Sequence, residues 1–134
     1  MTLEIARLIV TLNDVEPAVM RRIEAPLGLP LERLHLTLQA AFGWENYHLY
    51  AFRARKTAFS LYPEDHFGDG DTRSLKRATL ADAIEAAGAK KAFVYEYDFG
   101  DGWEHAIRVE RIAAAEADVA YPRLVEAKGA CPPE

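Results

Sequence analysis

Residues 97–105, Tyr-Asp-Phe-Gly-Asp-Gly-Trp-Glu-His, concentrate acids, aromatic rings and a histidine in one short stretch. Asp98, Asp101 and His105 are the candidate catalytic residues, because carboxylates beside an imidazole can transfer protons. If His105 shares a strand face with Trp103, an aromatic pocket would lower its pKa. The alternative is structural, since aspartates beside glycines accept backbone hydrogen bonds and fix the register of a hairpin. The sequence favours this structural interpretation.

A transition-metal site is the second chemical possibility. The candidate ligands are His35 on a predicted helix, His48 at the start of a predicted strand, and His105, with Asp98 and Asp101 nearby in the chain. Histidines and carboxylates suit zinc, iron or manganese. No pair of histidines has a spacing that fixes two ligands on one element. We therefore predict no cofactor, with a divalent transition metal possible, and favour histidines hydrogen-bonded within an aromatic layer.

Other catalytic motifs lack their necessary partners. The tripeptide Asp98-Phe99-Gly100 matches the magnesium-binding motif of protein kinases, but no glycine-rich phosphate loop or catalytic loop accompanies it. Ser60 and Ser74 lie outside any nucleophile-elbow pattern. Cys131 is the only cysteine, so the chain can form neither an internal disulfide nor a cysteine-rich zinc cluster.

Composition limits the broad class of the protein. The chain has 134 residues, a net charge of −5 and a pI near 5.4. This size suits one domain, and the acidic balance argues against a dominant binder of nucleic-acid backbones. No apolar run approaches the length of a membrane span, and the N-terminus lacks a secretory signal. We expect a cytoplasmic protein without membrane association, in an oligomeric state that the sequence leaves open.

Hydrophobic periodicity predicts an α+β fold with a single domain over residues 1–134. The sheet is expected to be mostly antiparallel, with five to seven strands and two main helices on one face. The second helix begins with a capping box of Thr79 and Asp82, and the first ends at Gly43. Predicted strands cover residues 3–12, 19–25, 48–55, 58–61, 93–99, 103–112 and 121–127, and helices cover 31–42 and 80–87. Residues 62–78 are predicted to form a long loop, 100–102 a hairpin turn, and 113–118 a helical or loop excursion.

Two basic stretches could contact phosphates. They cover residues 53–56 and 73–77, and Phe52, Phe59 and Tyr62 lie close to them in the chain. Arginines beside exposed rings would suit single-stranded nucleic acid. A charged strand face and a solvated loop are the favoured explanation.

Four segments together resemble one protein family. They are residues 17–23, 31–44, 47–52 and 97–105, which contain Pro-Ala-Val-Met-Arg-Arg-Ile, the helix ending in Ala-Phe-Gly-Trp, Tyr-His-Leu-Tyr-Ala-Phe and the hairpin motif. In this order they resemble the Ri-plasmid ORF-three-like family, some members of which are described as insertion-element passenger, "TnpR-like" proteins. The resemblance implies a compact α+β domain found near mobile elements. It implies no known reaction, and the chain has no nucleophile within an arginine-rich recombinase site.

Three departures from the family pattern bear on function. Met20 and Tyr50 stand where many relatives have a tryptophan and a second histidine. Many relatives also continue past a Cys-Pro-Pro-Glu segment, so this domain is expected to lack their C-terminal tail.

The sequence therefore predicts an accessory binding domain, associated with plasmids or mobile elements, that recognises a protein or nucleic-acid partner. A role without catalysis is favoured over an enzymatic one. The alternative is a small metal-dependent hydrolase that uses the hairpin of Asp98, Asp101 and His105 with His48 and His35. The predicted binding residues are exposed-type aromatics, arginines and one histidine, namely Arg21, Arg22, Trp44, Tyr47, His48 and Trp103.

Overall fold

An eight-stranded sheet with two α-helices forms the fold. The computed structural model describes residues 3–63 and 70–132. The strands are β1 Glu4–Leu12, β2 Val19–Pro26, β3 Tyr50–Ala54, β4 Thr57–Ser60, β5 Asp71–Ser74, β6 Ala92–Tyr97, β7 Trp103–Ala114 and β8 Arg123–Lys128. The helices are α1 Leu31–Phe42 and α2 Leu80–Ala87, and a short 3₁₀ helix covers Gly88–Lys90.

The strands lie in the order β5-β4-β3-β6-β7-β1-β2-β8. All neighbours are antiparallel except β4 and β5, which are parallel. The predicted hairpin of β6 and β7 is confirmed, with Tyr95 opposite His105 and Tyr97 opposite Trp103. This pairing brings the two ends of the sequence motif together, where β6 ends and β7 begins.

One face of the sheet carries the core. Alternate residues of β1 (Ala6, Leu8, Val10 and Leu12) are buried, because successive side chains of a strand point to opposite faces. The inward residues of β3 and β6 continue this layer with aromatic rings, among them Phe52, Tyr95 and Tyr97. Side chains of both helices pack in the same cluster, so both helices cover this face.

The sequence signals at the ends of the helices are confirmed. Gly43 ends α1 in the left-handed conformation, with φ of 74°, which a residue without a Cβ adopts at little cost. At α2, the Thr79 side chain accepts a hydrogen bond from the N–H of Asp82, and Asp82 accepts one from the N–H of Thr79. None of the described helices has the length and apolar content needed to cross a membrane.

The prediction of five to seven strands was wrong, because the predicted loop contains β5. This strand, Asp71–Ser74, lies at the sheet edge beside β4, and its four polar residues show no hydrophobic alternation. Strand β7 also extends to Ala114, further than predicted. The rest of the predicted loop includes residues 64–69, which lie outside the described residues.

Phe99 lies outside β6, although the predicted strand over residues 93–99 included it. Strand β6 ends at Tyr97, and Asp98 has φ of 63°, which interrupts the alternation one residue before Phe99. Phe99 is consequently 39% exposed. His48 likewise precedes its strand, because β3 begins at Tyr50.

Candidate functional site

His35 is a buried member of a hydrogen-bonded cluster. Its Nε2 donates to Oδ1 of Asn46 and its Nδ1 accepts from the hydroxyl of Tyr95, each at 2.6 Å. That hydroxyl oxygen accepts in turn from Nε2 of Gln39 at 2.9 Å. The ring also stacks on Tyr50, with centroids 3.5 Å apart. Burial lowers the pKa of His35, and the bond to Asn46 only partly offsets this, so the neutral imidazole is favoured.

His105 lies in an aromatic pocket, as the sequence predicted. The side chain is fully buried, and its ring makes edge contacts with Phe42 and Trp44 at centroid distances of 4.7 and 5.3 Å. Its Nδ1–H donates to the carbonyl oxygen of Tyr95 at 3.1 Å. Its Nε2 is buried without a hydrogen-bond partner among the described residues. Burial lowers the pKa of His105 to about 4, despite that hydrogen bond.

Asp98 holds the hairpin turn and faces His48. Its Oδ1 accepts from the backbone N–H groups of Gly100 and Asp101 at 3.2 and 3.4 Å. Its Oδ2 lies 3.5 Å from Nε2 of His48, which also contacts the edge of Tyr97. Asp98 therefore has the structural role that the sequence favoured and in addition contacts one candidate histidine. Asp101 is exposed.

The candidate metal ligands do not form a cluster in the described part of the chain. Both ring nitrogens of His35 are already engaged, and Nδ1 of His105 donates to a carbonyl. Nε2 of His48 lies 3.5 Å from Oδ2 of Asp98. Residues 3–63 and 70–132 contain no group of three His, Cys, Asp or Glu side chains arranged to hold a metal ion.

The paired arginines of β2 have opposite environments, because neighbouring strand residues point to opposite faces. Arg21 is only 7% exposed and donates to the carbonyl oxygens of Ala41, Met20 and Lys128 at 2.8, 2.8 and 3.1 Å. Its guanidinium thus joins the end of α1 to β2 and β8. Arg22 lies on the outer face and pairs with Glu110 and Glu126. Both predicted binding residues therefore have contacts within the fold.

The two predicted tryptophans line the inner aromatic layer. Trp44 is buried, stacks on Tyr97 at 5.3 Å, and donates from Nε1 to the carbonyl oxygen of Pro132 at 3.0 Å. Trp103 packs against Trp44 with centroids 5.7 Å apart. Its Nε1 is buried and has no hydrogen-bond partner within the described ranges.

Residues 45–49 form a loop whose backbone is held at several points. The N–H of Asn46 donates to Oε1 of Gln39 at 2.8 Å, and the N–H of Tyr47 donates to the hydroxyl of Tyr97 at 2.9 Å. The carbonyl oxygen of Leu49 accepts from the N–H of Asp98 at 2.9 Å. The loop is therefore attached both to α1 and to the end of β6.

The same loop exposes large side chains. Tyr47 is 73% exposed, and Leu36 and Leu49 are each 47% exposed. These three residues line one open depression of about 410 Å³ together with His48. We call Leu36, Tyr47, His48 and Leu49 the Tyr47 surface. The sequence identified Tyr47 and His48, but it missed Leu36 and Leu49.

The missed residues carried only weak signals. Leu36 lies outside the apolar stripe of α1, and an apolar residue off that stripe is one signal of an exposed contact. The residues that hold the loop, Gln39, Asn46 and Tyr97, could not be recognised. The Gln39 side chain accepts from the N–H of Asn46 seven residues further on, and the Tyr97 hydroxyl accepts from the N–H of Tyr47, which is 50 positions away in the chain.

Comparison with known proteins identifies the family. Residues 4–134 match the family described as "Plasmid pRiA4b ORF-3-like protein". The chain belongs to the plasmid pRiA4b ORF-3-like family. This match covers nearly the whole chain and confirms the resemblance found in its four motifs.

Two relatives of this ORF-3-like domain extend beyond the matched region. "Uncharacterized protein y4hQ" of Sinorhizobium fredii (strain NBRC 101917 / NGR234) is 50% identical over 134 residues, which are 100% of this chain and 67% of that protein. The fold also resembles the crystal structure of a protein of unknown function, MM3350 from Methanosarcina mazei Go1. That comparison has a TM-score of 0.85 and 30% identity, and covers 100% of this chain and 75% of the other.

Proposed function

We propose that this ORF-3-like domain is a binding domain that recognises a protein partner through the Tyr47 surface. The supporting observation is a loop with a fixed backbone and exposed apolar side chains. Exposed apolar patches commonly mark interaction sites. A loop already held in position loses less conformational entropy when a partner binds.

Tyrosine is well suited to this role. Its ring gives a large contact area with few rotatable bonds, and its hydroxyl can form a hydrogen bond at the interface. Here the backbone N–H of Tyr47 is bonded to the buried end of β6, while the side chain is 73% exposed. Leu36 and Leu49 provide apolar contacts on the same depression.

The charge around the depression favours a protein partner over nucleic acid. Glu32 lines the depression beside Leu36, and Glu45 lines the adjoining depression beside Tyr47. Burial raises the pKa of Tyr50 to about 12, and the negative charge of Glu32 contributes to the same shift. Carboxylates on this surface would repel phosphates, whereas an apolar protein segment would not be repelled.

The family name supports an accessory role in plasmids or other mobile elements. In this proposal the domain contributes recognition, and His48 with Asp98 contributes a polar rim to the interface. The metal-dependent hydrolase remains the alternative prediction, and no contact among the described residues favours it over binding.

Photo-crosslinking can test the Tyr47 surface while the partner is still unidentified. Tyr47 would be replaced by p-benzoyl-phenylalanine in the host that encodes the chain. The matched control carries the same group at Lys90. This exposed residue precedes the start of β6, whereas the Tyr47 surface lies near Tyr97 at the other end of that strand. We expect one discrete protein adduct from position 47 that is absent from position 90.

A second variant makes the result specific to the surface. Adding Leu36→Ser and Leu49→Ser to the position-47 protein should remove the adduct, while circular dichroism shows that the fold is retained. Identical adducts from positions 47 and 90, or an adduct unaffected by the two serines, would contradict the proposal.

A further inference from the structure

The outer face of the sheet contains a depression that is separate from the Tyr47 surface. It has a volume of about 430 Å³ and is lined by strands β1, β3, β6 and β7. Its floor includes Ile9, Val94 and Ala106, and arginines line its sides. A depression of this size is in the range of small-molecule sites.

The sheet register explains the shape of this depression. Ala92 pairs with Arg108 of β7, and Val94 pairs with both Arg53 of β3 and Ala106 of β7. Arg55 follows β3 by one residue, so it lies beyond Arg53 on the side of Ala92. Arg55 itself has φ of 54° in the turn after β3, and it lines the depression together with Ala92 and Arg108. The small Ala92 side chain leaves open space beside the two arginines.

The side chain of Arg55 packs against Gly88. A Cβ added at Gly88 would lie 2.9 Å from Nη1 and 3.5 Å from Cδ of Arg55. The Arg55 side chain therefore lies directly against this glycine, and any larger residue would displace it. Gly88 also has φ of 70°, a conformation that side-chain-bearing residues rarely adopt.

The positive charge in the depression is only partly balanced. Arg53 pairs with Glu104 at 3.0 Å and Glu96 at 3.6 Å. Neither Arg55 nor Arg108 has a side-chain hydrogen bond or ion pair within residues 3–63 and 70–132. Two arginines without a side-chain partner in the described ranges thus line one depression of a chain whose net charge is −5.

We infer that Arg55 and Arg108 form a binding site for a small organic anion that carries a phosphate or two carboxylates. Guanidinium groups bind these oxyanions with paired, charge-assisted hydrogen bonds. The apolar floor of Ile9, Val94 and Ala106 would contact the carbon part of the ligand. A nucleic-acid strand fits less well, because the lining residues offer no exposed aromatic ring for base stacking.

Amide chemical shifts of the full chain would be followed by NMR during titration. The probes are pyrophosphate, citrate and an oligothymidine of about 12 nucleotides. We expect pyrophosphate or citrate to shift the amides of residues 92–94 and 106–108. The double variant Arg55→Gln with Arg108→Gln should weaken that binding at least about tenfold.

Two further variants distinguish binding at this depression from general attraction of anions to positive charge. Arg33→Gln removes an exposed positive charge on α1 and should leave binding unchanged. Ala92→Leu keeps both arginines but fills the space beside them, and should weaken binding. The inference is overturned if neither small anion shifts these amides, if Arg33→Gln weakens binding equally, or if only the oligonucleotide binds.

Discussion

The backbone N–H of Tyr47 donates to the hydroxyl of Tyr97 at 2.9 Å, which joins a 73% exposed loop residue to a buried strand residue. Tyr97 is on β6, opposite Trp103 in the hairpin whose turn contains Asp98. The hairpin motif recognised in the sequence therefore supports the neighbouring loop. Through Tyr97, the hairpin holds the backbone of the proposed binding surface in position.

Replacing Tyr97 with phenylalanine should loosen this loop while retaining the fold. The ring keeps its packing against Trp44, but the N–H of Tyr47 loses its acceptor. We expect a loss of about 1 kcal/mol in the free energy of unfolding, measured in urea, and a lower yield of the position-47 crosslink. Tyr62→Phe, at an exposed tyrosine, should change neither quantity. An unchanged crosslink yield in Tyr97→Phe would show that this bond does not organise the surface.

Two substitutions at Asp98 distinguish its structural role from a chemical one. Asparagine keeps an oxygen for the N–H groups of Gly100 and Asp101 and tolerates the positive φ of 63°. Alanine provides neither property. We expect Asp98→Asn to unfold near the wild-type urea concentration, and Asp98→Ala to lose about 1–2 kcal/mol. Equal losses in both variants would instead assign the stability to the carboxylate charge facing His48.

The paired arginines of β2 should respond differently to the same substitution. Arg21→Met would leave the carbonyl oxygens of Ala41, Met20 and Lys128 without their buried donor, so we expect a loss of about 2–4 kcal/mol. Arg22→Met removes ion pairs that are partly exposed to solvent. It should therefore lower the free energy of unfolding by less than about 1 kcal/mol. Urea unfolding of both variants provides the comparison. A larger loss for Arg22→Met would contradict the assigned environments.

Stability should fall in mild acid because His105 is buried as a neutral ring. Its pKa is about 4 in the fold and 6.5 for the unperturbed group, so the unfolded chain binds the proton more readily. Stability is therefore fully present above the unfolded pKa and falls as the pH decreases from about 6.5 to about 4. The shift corresponds to about 3 kcal/mol, and the lowered pKa of His35 acts in the same direction.

Urea unfolding at several pH values across this window measures the effect. His105→Phe keeps an aromatic ring against Phe42 and Trp44 but cannot be protonated, so its stability should depend less on pH. NMR titration of the His105 ring in the wild-type protein provides a check that needs no variant. A midpoint near 6.5 would contradict the assignment of His105 as a buried neutral residue.

Much of the architecture follows from local sequence signals. The capping box at Thr79, the glycine after α1 and the alternation in β1 each encode their structure within a few residues. Strand β5 could not be predicted in this way. Its residues Asp71–Ser74 have no apolar face, and their strand conformation depends on parallel pairing with β4 at the edge of the sheet.

The candidate site was only partly predictable for a similar reason. The sequence indicates that Tyr47 and His48 are contact-type residues and that His105 faces an aromatic pocket. It cannot show that Tyr97 binds the backbone of Tyr47, because those residues are 50 positions apart. The predicted strand over residues 19–25 places Arg21 and Arg22 on opposite faces, but it does not identify the carbonyl oxygens that bind Arg21 or the carboxylates that pair with Arg22.

Hydrogen exchange of the backbone amides in the free protein tests the central claim most directly. A preorganised Tyr47 surface requires the loop of residues 45–49 to be held before any partner binds. The amides of Asn46 and Tyr47 should therefore exchange at least about tenfold more slowly than expected for an unprotected chain, although both residues are exposed. Exchange of both amides at the unprotected rate would contradict this preorganisation.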